Sequence, residues 1–454
     1  MSELEIFRPK GVVSAEEMQA INRNADDYGC LPSNRMEQAG KTLANALEKE
    51  SENTIIFFCG SGNNGGNGYV AARLLKDRKN VTVFSLGAKT PEADAALTIL
   101  KASGLKIKTE LPGLTKNAVL VDCLLGTGEK PSLQESMHAI VEAMNASGAR
   151  IVSCDIETSG IHADRVIAFH LAKTKRDEVY PIGIPEEADI FCGEGDLMII
   201  PKKEKNAHKG AGGTILVIGG GPYQGAPFLA GSAALRAGAD IVRVASPVDG
   251  FMPDLILERL SGTKITKEHE EKLITLAEAT DIVIAGPGLG TDGESLAVVR
   301  TAVTHAKHAV IDADLLRNPL PKAKGATIYT PHIGEFTRLF GKLPDSLKDR
   351  GLAVQKAARE ADGVILLKGK TDIISDGYRV KFNTSGCAAM SVGGTGDILA
   401  GITGGLLARM GAFPAACAAA YAEGKTGEKA AETVGEGLIA SDLLVKIAEV
   451  LWKS

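Results

Sequence analysis

At 454 residues the chain is longer than a single hydrophobic core usually supports, so two domains are expected. Its net charge of −5, from 51 Lys+Arg and 56 Asp+Glu with both signs interspersed, argues against a nucleic-acid backbone as partner. The absence of any uninterrupted apolar run of about 18 residues argues against a membrane span. Seven cysteines, an odd number without a Cys-x-x-Cys pair, read as reduced core thiols. The opening Met-Ser-Glu-Leu-Glu-Ile-Phe lacks the basic and apolar regions of a secretory signal, and a soluble cytoplasmic protein is expected.

In chain order, Ser14 to Glu17 is a capping box that opens a helix to about Asp27, and a second helix is predicted from about Ser33 to Glu50. Short β-branched runs follow at Thr54–Cys59, Val81–Leu86, Ala118–Cys123 and Ile151–Asp155, separated by helical patterns. Leu197–Ile200 reads as a closing strand. The charged stretch Pro201 to Gly210 is the natural boundary, giving domains 1–202 and 203–454. Beyond it the runs resume at Thr214–Ile218, Ile282–Ala285, Ala309–Asp312 and Gly363–Lys368. Alternation of this kind predicts parallel sheets covered by helices on both faces.

Ligands of such sheets bind outside the carboxyl ends of the strands, and the polar residues of both halves gather there. In the first half a glycine-dense loop from Gly60 to Gly68, carrying Asn63, Asn64 and Asn67, joins a strand to a helix predicted from Tyr69 to Lys76. Its amides suit a phosphate or pyrophosphate. The next strand ends read Asp122 to Gly128 and Asp155 to Gly160; their oxygens suit a ligand at the strand ends, a hard monovalent cation, or simple capping of the loops that follow. In the second half Gly393-Gly394-Thr395-Gly396-Asp397 opens an apolar helix, the layout of a phosphoryl-transfer site with Asp397 as the base. A helix cap with a tight turn is the plainer reading. His332 after Thr330-Pro331 and Lys368 at a strand end have plain readings too, as a turn-fixing hydrogen bond and a solvated lysine.

Met36-Glu37-Gln38-Ala39-Gly40, the Asn-Asn-Gly-Gly loop, Asp122 with Gly126-Thr127-Gly128, and Asp155 with Gly160 resemble the epimerase domain of NAD(P)H-hydrate repair enzymes over residues 10–200. The resemblance implies a Rossmann-like three-layer αβα domain that interconverts R and S NAD(P)H hydrate. It implies that Asn63, Asn64, Gly65, Gly66, Asn67, Gly126, Thr127, Gly128 and Asp155 contact the hydrate, with Asp155 catalytic. Asn64, Asp122, Thr158 and Ser159 would hold K+. Two departures stand out: the family loop ends in Asp where this chain has Asn67, and the segment after Asp155 is one residue longer before Gly160 and then much shortened up to His170. These leave open a binding-only first domain.

His208 to Gly213, Gly219 to Pro227, Gly286 to Gly290, Asp312 to Asp314, Thr330 to Glu335, Lys368 to Asp372 and the Gly-Thr-Gly-Asp site resemble, in family order, the ribokinase-like NAD(P)H-hydrate dehydratase domain. The implied fold is again αβα. The implied activity, a lyase reaction, returns S hydrate to NAD(P)H at the expense of ADP, with Mg2+ on the phosphates and AMP and phosphate as products. Ala226, Gly288, His332 and Asp397 would line the hydrate pocket. Lys368, Gly369, Lys370, Thr371 and Asp372 would hold the nucleotide, together with Cys387 to Gly396, which includes Gly393, Gly394, Thr395 and Gly396. A homo-oligomer is expected. A small-alcohol or vitamin kinase with a nucleotide-sensing first domain is the alternative.

Overall fold

The computed structural model describes residues 3–128, 135–203, 210, 212–250 and 252–453. Its backbone divides into two compact units, Arg8–Asp189 and Ile190–Ser454, the segment up to Phe7 belonging to the second.

In the first unit seven strands form one sheet: β1 (Thr54–Cys59), β2 (Asn80–Ser85), β3 (Ile107–Lys108), β4 (Ala118–Cys123), β5 (Arg150–Cys154), β6 (Arg165–Phe169) and β7 (Glu178–Tyr180). Their order is β3-β2-β1-β4-β5-β6-β7, parallel throughout. Successive side chains of a strand point to opposite faces, and both faces here are apolar. Ile55, Phe57 and Cys59 join the core under helices Ala15–Asp27, Pro32–Leu47, Asn63–Leu75 and Pro91–Ala102, while Ile56 and Phe58 join the core under Glu135–Ala146. The register sets Cys59 opposite Ser85 and Cys123, so the strands end level with one another. The order reverses between β1 and β4, which is where the polar strand ends converge.

The second unit holds nine strands: β8 (Thr214–Ile218), β9 (Ile241–Ser246), β10 (Ile256–Arg259), β11 (Ile282–Ala285), β12 (His308–Ile311), β13 (Thr327–Tyr329), β14 (Val364–Leu367), β15 (Asp372–Ser375) and β16 (Val380–Asn383). Their order is β10-β9-β8-β11-β12-β13-β14-β15-β16, parallel up to β14, with β15 and β16 antiparallel. Helices Ala226–Arg236, Thr395–Leu407, Ala412–Val434 and Ala440–Trp452 cover one face. Glu270–Ala279, Gly293–His305 and Leu347–Ala361 cover the other.

Residues 190–202 pack with the second unit. Cys192, Leu197 and Ile200 lie in its core, and Asp196 pairs with Lys381 of β16 at 2.6 Å. The strand expected at Leu197–Ile200 is instead a short helix, Glu194–Met198, opened by Asp196 accepting from the Gly193 amide at 2.9 Å. His208, Lys209 and Ala211 lie outside the described residues. Among the described residues no helix is long and apolar enough to cross a membrane.

The glycines inside Thr395–Leu407 set how close that helix lies to its neighbours. A Cβ on Gly401 would meet the Ala233 methyl at 2.7 Å and the carbonyl of Ala230, and one on Gly405 would meet the Ala237 methyl at 2.7 Å. Gly404 faces Ile284 of β11 in the same way. Glycine costs helix propensity, and the close approach offsets that cost. Gly401→Ala is therefore expected to lower unfolding free energy by about 1–3 kcal/mol by overpacking, despite alanine's better propensity. A denaturant midpoint that stays or rises would contradict this packing.

Candidate active sites

In the second unit, helix Thr395–Leu407 begins at Gly394, whose φ of +99° is open to glycine at little cost, and no side chain caps it. The Thr395 hydroxyl bonds back to the carbonyls of Met390 and Val392 at 3.3 and 3.2 Å. The first-turn amides therefore have no side-chain acceptor and are left to a ligand. Asp397 lies inside this turn and does not cap it.

Facing the turn is a buried ion pair. Lys368 Nζ donates to Asp312 Oδ1 at 2.7 Å, and the Thr330 hydroxyl donates to the same oxygen at 2.8 Å. Lys368 is 20% exposed, so it is turned inward instead of standing in solvent. A Cβ on Gly396 would lie 3.2 Å from its ammonium. Burial disfavours the Lys368 charge, but Asp312, Glu335 and Asp397 outweigh it and hold the pKa above the ordinary lysine value. Burial, with the like charges of Asp312 and Asp314, pushes Asp397 up to about 7 against the opposing pull of Lys368. A carboxyl poised there exchanges protons readily at neutral pH.

Lys368 leads into the hairpin Gly369–Thr371 between β14 and β15. The Gly369 amide and the Asn383 side chain both donate to Asp372 at 2.9 Å, and burial pushes Asp372 up to about 6. Beside it, burial and the Asp372 charge push Glu423 up to about 8. Lys370 is exposed. Gly288, at φ +68°, packs against Ala226, a Cβ there lying 3.1 Å from the Ala226 methyl. Leu229, one turn along the same helix, lies against Gly394. His332 caps helix Ile333–Phe340: its Nδ1 accepts from the amides of Gly334 and Glu335 at 2.9 and 3.3 Å. The ring is 59% exposed, and its Nε2 lies 3.5 Å from Glu335 Oε1.

In the first unit the glycine-dense segment proves to be the first turns of a helix, Asn63–Leu75, that starts six residues before the expected Tyr69. A Cβ on Gly66 would run into the Met36 thioether sulfur at 2.6 Å, and one on Gly68 into the Cys59 and Cys123 sulfurs at 2.7 and 2.9 Å. Only glycine lets the turn sit this low on the strand ends. Asn63 accepts from the Thr90 hydroxyl, and Asn64 Nδ2 donates to the carbonyls of Leu125 and Cys154 at 2.6 and 2.9 Å. Asn67 Nδ2 stands 3.5 Å from Asn64 Oδ1. Gly126 abuts the Asn64 side chain, and the Thr127 carbonyl accepts from Gln19. Gly128 is exposed.

Asp122 is fully buried and takes four hydrogen bonds: from the Leu124 amide and Thr158 hydroxyl on Oδ1, and from the Ser153 hydroxyl and Thr158 amide on Oδ2. Burial raises its pKa and those bonds pull it back. Asn64, Asp122 and Thr158 are thus gathered through the Leu125 segment, whereas Ser159 is exposed. Asp155 has φ +67°, and its Oδ1 accepts from Lys173 Nζ at 2.5 Å and from the Phe169 amide at 3.1 Å.

Two family models divide the chain in the same way as the geometry: one described as NAD(P)H-hydrate dehydratase matches residues 215–449, and one described as the YjeF-related protein N-terminus matches 33–172. A bifunctional NAD(P)H-hydrate repair enzyme of Methanospirillum hungatei is 43% identical, over 99% of this chain and 95% of its own. That of Archaeoglobus fulgidus is 40% identical, over 97% and 98%. The chain belongs to the bifunctional NAD(P)H-hydrate repair enzymes. Among solved structures, an ADP/ATP-dependent NAD(P)H-hydrate dehydratase from Bacillus subtilis co-crystallised with ATP and Mg2+ is 28% identical, with TM-score 0.50, over 58% of this chain and 98% of that one. A ribokinase-like protein from Enterococcus faecalis, 23% identical with TM-score 0.50 over 58% and 95%, shares the fold.

Three members of these sites were not assigned from the sequence. Asp312 stood in a motif without a role. Glu423 is the one charge in the apolar run Phe413–Gly424, a signal that could have found it. Lys173 had no signal, since its partner is distant in sequence.

The Asp397 carboxyl carbon is expected to titrate with a midpoint of about 7 in carbon-detected NMR, and Asp312→Asn should lower that midpoint by removing a like charge. A midpoint in the ordinary carboxylate range would refute the burial argument.

Proposed function

We propose that this protein repairs hydrated nicotinamide cofactors: the first unit epimerises R and S NAD(P)H hydrate, and the second dehydrates the S form with ADP. The observation that carries this reading is Asp397, held near neutrality between an uncapped helix terminus and the Lys368–Asp312 pair. Family membership over both halves supports it and lends nothing to a free-standing vitamin kinase.

Hydroxide leaves poorly from C6 of the hydrate. Asp397 would take the proton of the C6 hydroxyl as its oxygen attacks the terminal phosphorus of ADP, releasing AMP. The ring-nitrogen lone pair then expels phosphate, and loss of the C5 proton restores the dihydropyridine. Amides of Gly394, Thr395 and Gly396, with the Lys368 ammonium, would offset charge on the moving phosphoryl group, each well-aimed donor contributing about 3 kcal/mol. Mg2+ arriving with the nucleotide supplies further neutralisation; no cluster of three His, Cys, Asp or Glu ligands forms a cage for it among the described residues. Gly369 to Asp372 would hold the nucleotide, with Glu423 kept largely protonated at neutral pH by burial and the Asp372 charge, so that it repels the phosphates little. Ala226, Gly288 and His332 would line the hydrate pocket.

In the first unit Asn63 to Asn67 and Gly126 to Gly128 would bind the hydrate, with Asp155 as acid and base. The side-chain oxygens of Asn64, Asp122 and Thr158, gathered through the Leu125 segment, would hold a hard monovalent cation such as K+. Exposed Ser159 would turn inward to complete the set. A cytoplasmic homo-oligomer is part of the same reading.

Recovery of absorbance at 340 nm, on adding protein, magnesium and ADP to mixed R and S hydrate, tests the whole. Full recovery is expected, and none would refute the proposal. Asp397→Asn should cut dehydration by about 10²–10⁴-fold, the usual worth of a general base, while R and S forms still interconvert. Loss of both activities in a folded variant would contradict two separate sites.

A further inference from the structure

We propose that Lys173 is a positioning residue for epimerisation: its ammonium fixes one oxygen of Asp155 so that the other is presented to the hydrate. This rests on the reading of the first unit as an epimerase.

Asp155 follows β5 in a left-handed conformation that a non-glycine residue adopts only when its surroundings impose it. The imposing contacts converge on a single atom. Oδ1 takes Lys173 Nζ at 2.5 Å and the Phe169 amide at 3.1 Å, while Nζ also donates to the Phe169 carbonyl at 2.7 Å. Lys173 is 6% exposed and Asp155 15%, so water competes little for this pair. Lys173 is itself anchored, because its amide and that of Thr174 donate to Asp177 Oδ2 at 2.5 and 2.8 Å. Oδ2 of Asp155 has no partner among the described residues.

The neighbouring carboxylates are already engaged. Asp122 spends both oxygens on four hydrogen bonds, and Glu157 accepts from the Ala163 amide and pairs with Arg176. Position 67, at the end of the asparagine turn, is an amide that cannot take a proton. The proton traffic at C6 therefore falls to Oδ2. It accepts the hydroxyl proton as the C6–N1 electron pair returns to nitrogen and a carbonyl forms at C6. It gives the proton back when nitrogen closes on the opposite face, with nothing gained or lost overall. Lys173 keeps its own protons throughout and serves to hold Oδ1, the strained turn and hence the aim of Oδ2.

Interconversion of a single purified hydrate epimer, followed by chromatography on the full chain without ADP, tests this. Lys173→Met should lower kcat by about tenfold or more with KM little changed, the mark of a group whose effect is felt in the transition state. Lys173→Arg should recover part of the rate, and Lys173→Ala should be rescued by added ethylammonium. A wild-type kcat in Lys173→Met overturns the proposal. So does a loss that neither arginine nor ethylammonium relieves, which would make Lys173 a folding residue. A wild-type chain that interconverts nothing removes the epimerase reading itself, before any variant is measured.

Discussion

The second unit is organised around one buried charge. Asp312 ends β12 almost wholly out of water, where a lone carboxylate would be prohibitive, and Lys368 from the end of β14 makes it tolerable. That pairing fixes an ammonium at the carboxyl edge of the sheet. Position 396 lies close against that ammonium, a Cβ there standing 3.2 Å from it, so a side chain would have to displace the lysine tip. Helix Thr395–Leu407 reaches so close because Gly401, Gly404 and Gly405 remove the bulk that would hold it away from Ala226–Arg236 and β11. The near-neutral carboxyl of Asp397 is a result of this crowding: burial and two neighbouring carboxylates act against one lysine.

The two units reach a similar solution with different residues. In each, a helix begins at a glycine, Gly62 or Gly394, at the level of the strand ends and without a side-chain cap. An oxygen-bearing residue at Gly62 would occupy the donors a ligand needs, and at Gly394 a φ of +99° disfavours one. Other helices are capped by side chains, as by Ser14, Thr90, Asp292 and Ser346, while those headed by Leu31, Gly225 and Gly411 are not.

Much of this was legible in the sequence. The strands of both sheets stood out because parallel strands buried on both faces are continuous β-branched runs. The helix start at Asn63 was hidden, since glycine reads as a loop until the sulfur atoms beneath it are seen. Leu197 looked like strand because its apolar neighbours form a run, whereas Asp196 folds them into a helical turn. His332 takes up its plainer reading, with Nδ1 spent on a cap and Nε2 3.5 Å from Glu335. Ser159, expected beside Asp122, points outward while Thr158 bonds the carboxylate. Lys173 and Glu423 meet their partners only through the fold, which no spacing rule encodes.

The floor beneath Asn63–Leu75 is built of sulfur: Met36 under Gly66, and Cys59 and Cys123 under Gly68, with Cys154 on the adjoining strand. Sulfur is polarisable and adapts to the tight contact, yet it is also the protein's most oxidisable material. Burial holds the Cys123 and Cys154 thiols far above their ordinary pKa, so they remain protonated and poorly nucleophilic. These two thiols are thereby poor partners for peroxide and disulfide exchange, so burial protects the part of the floor they form.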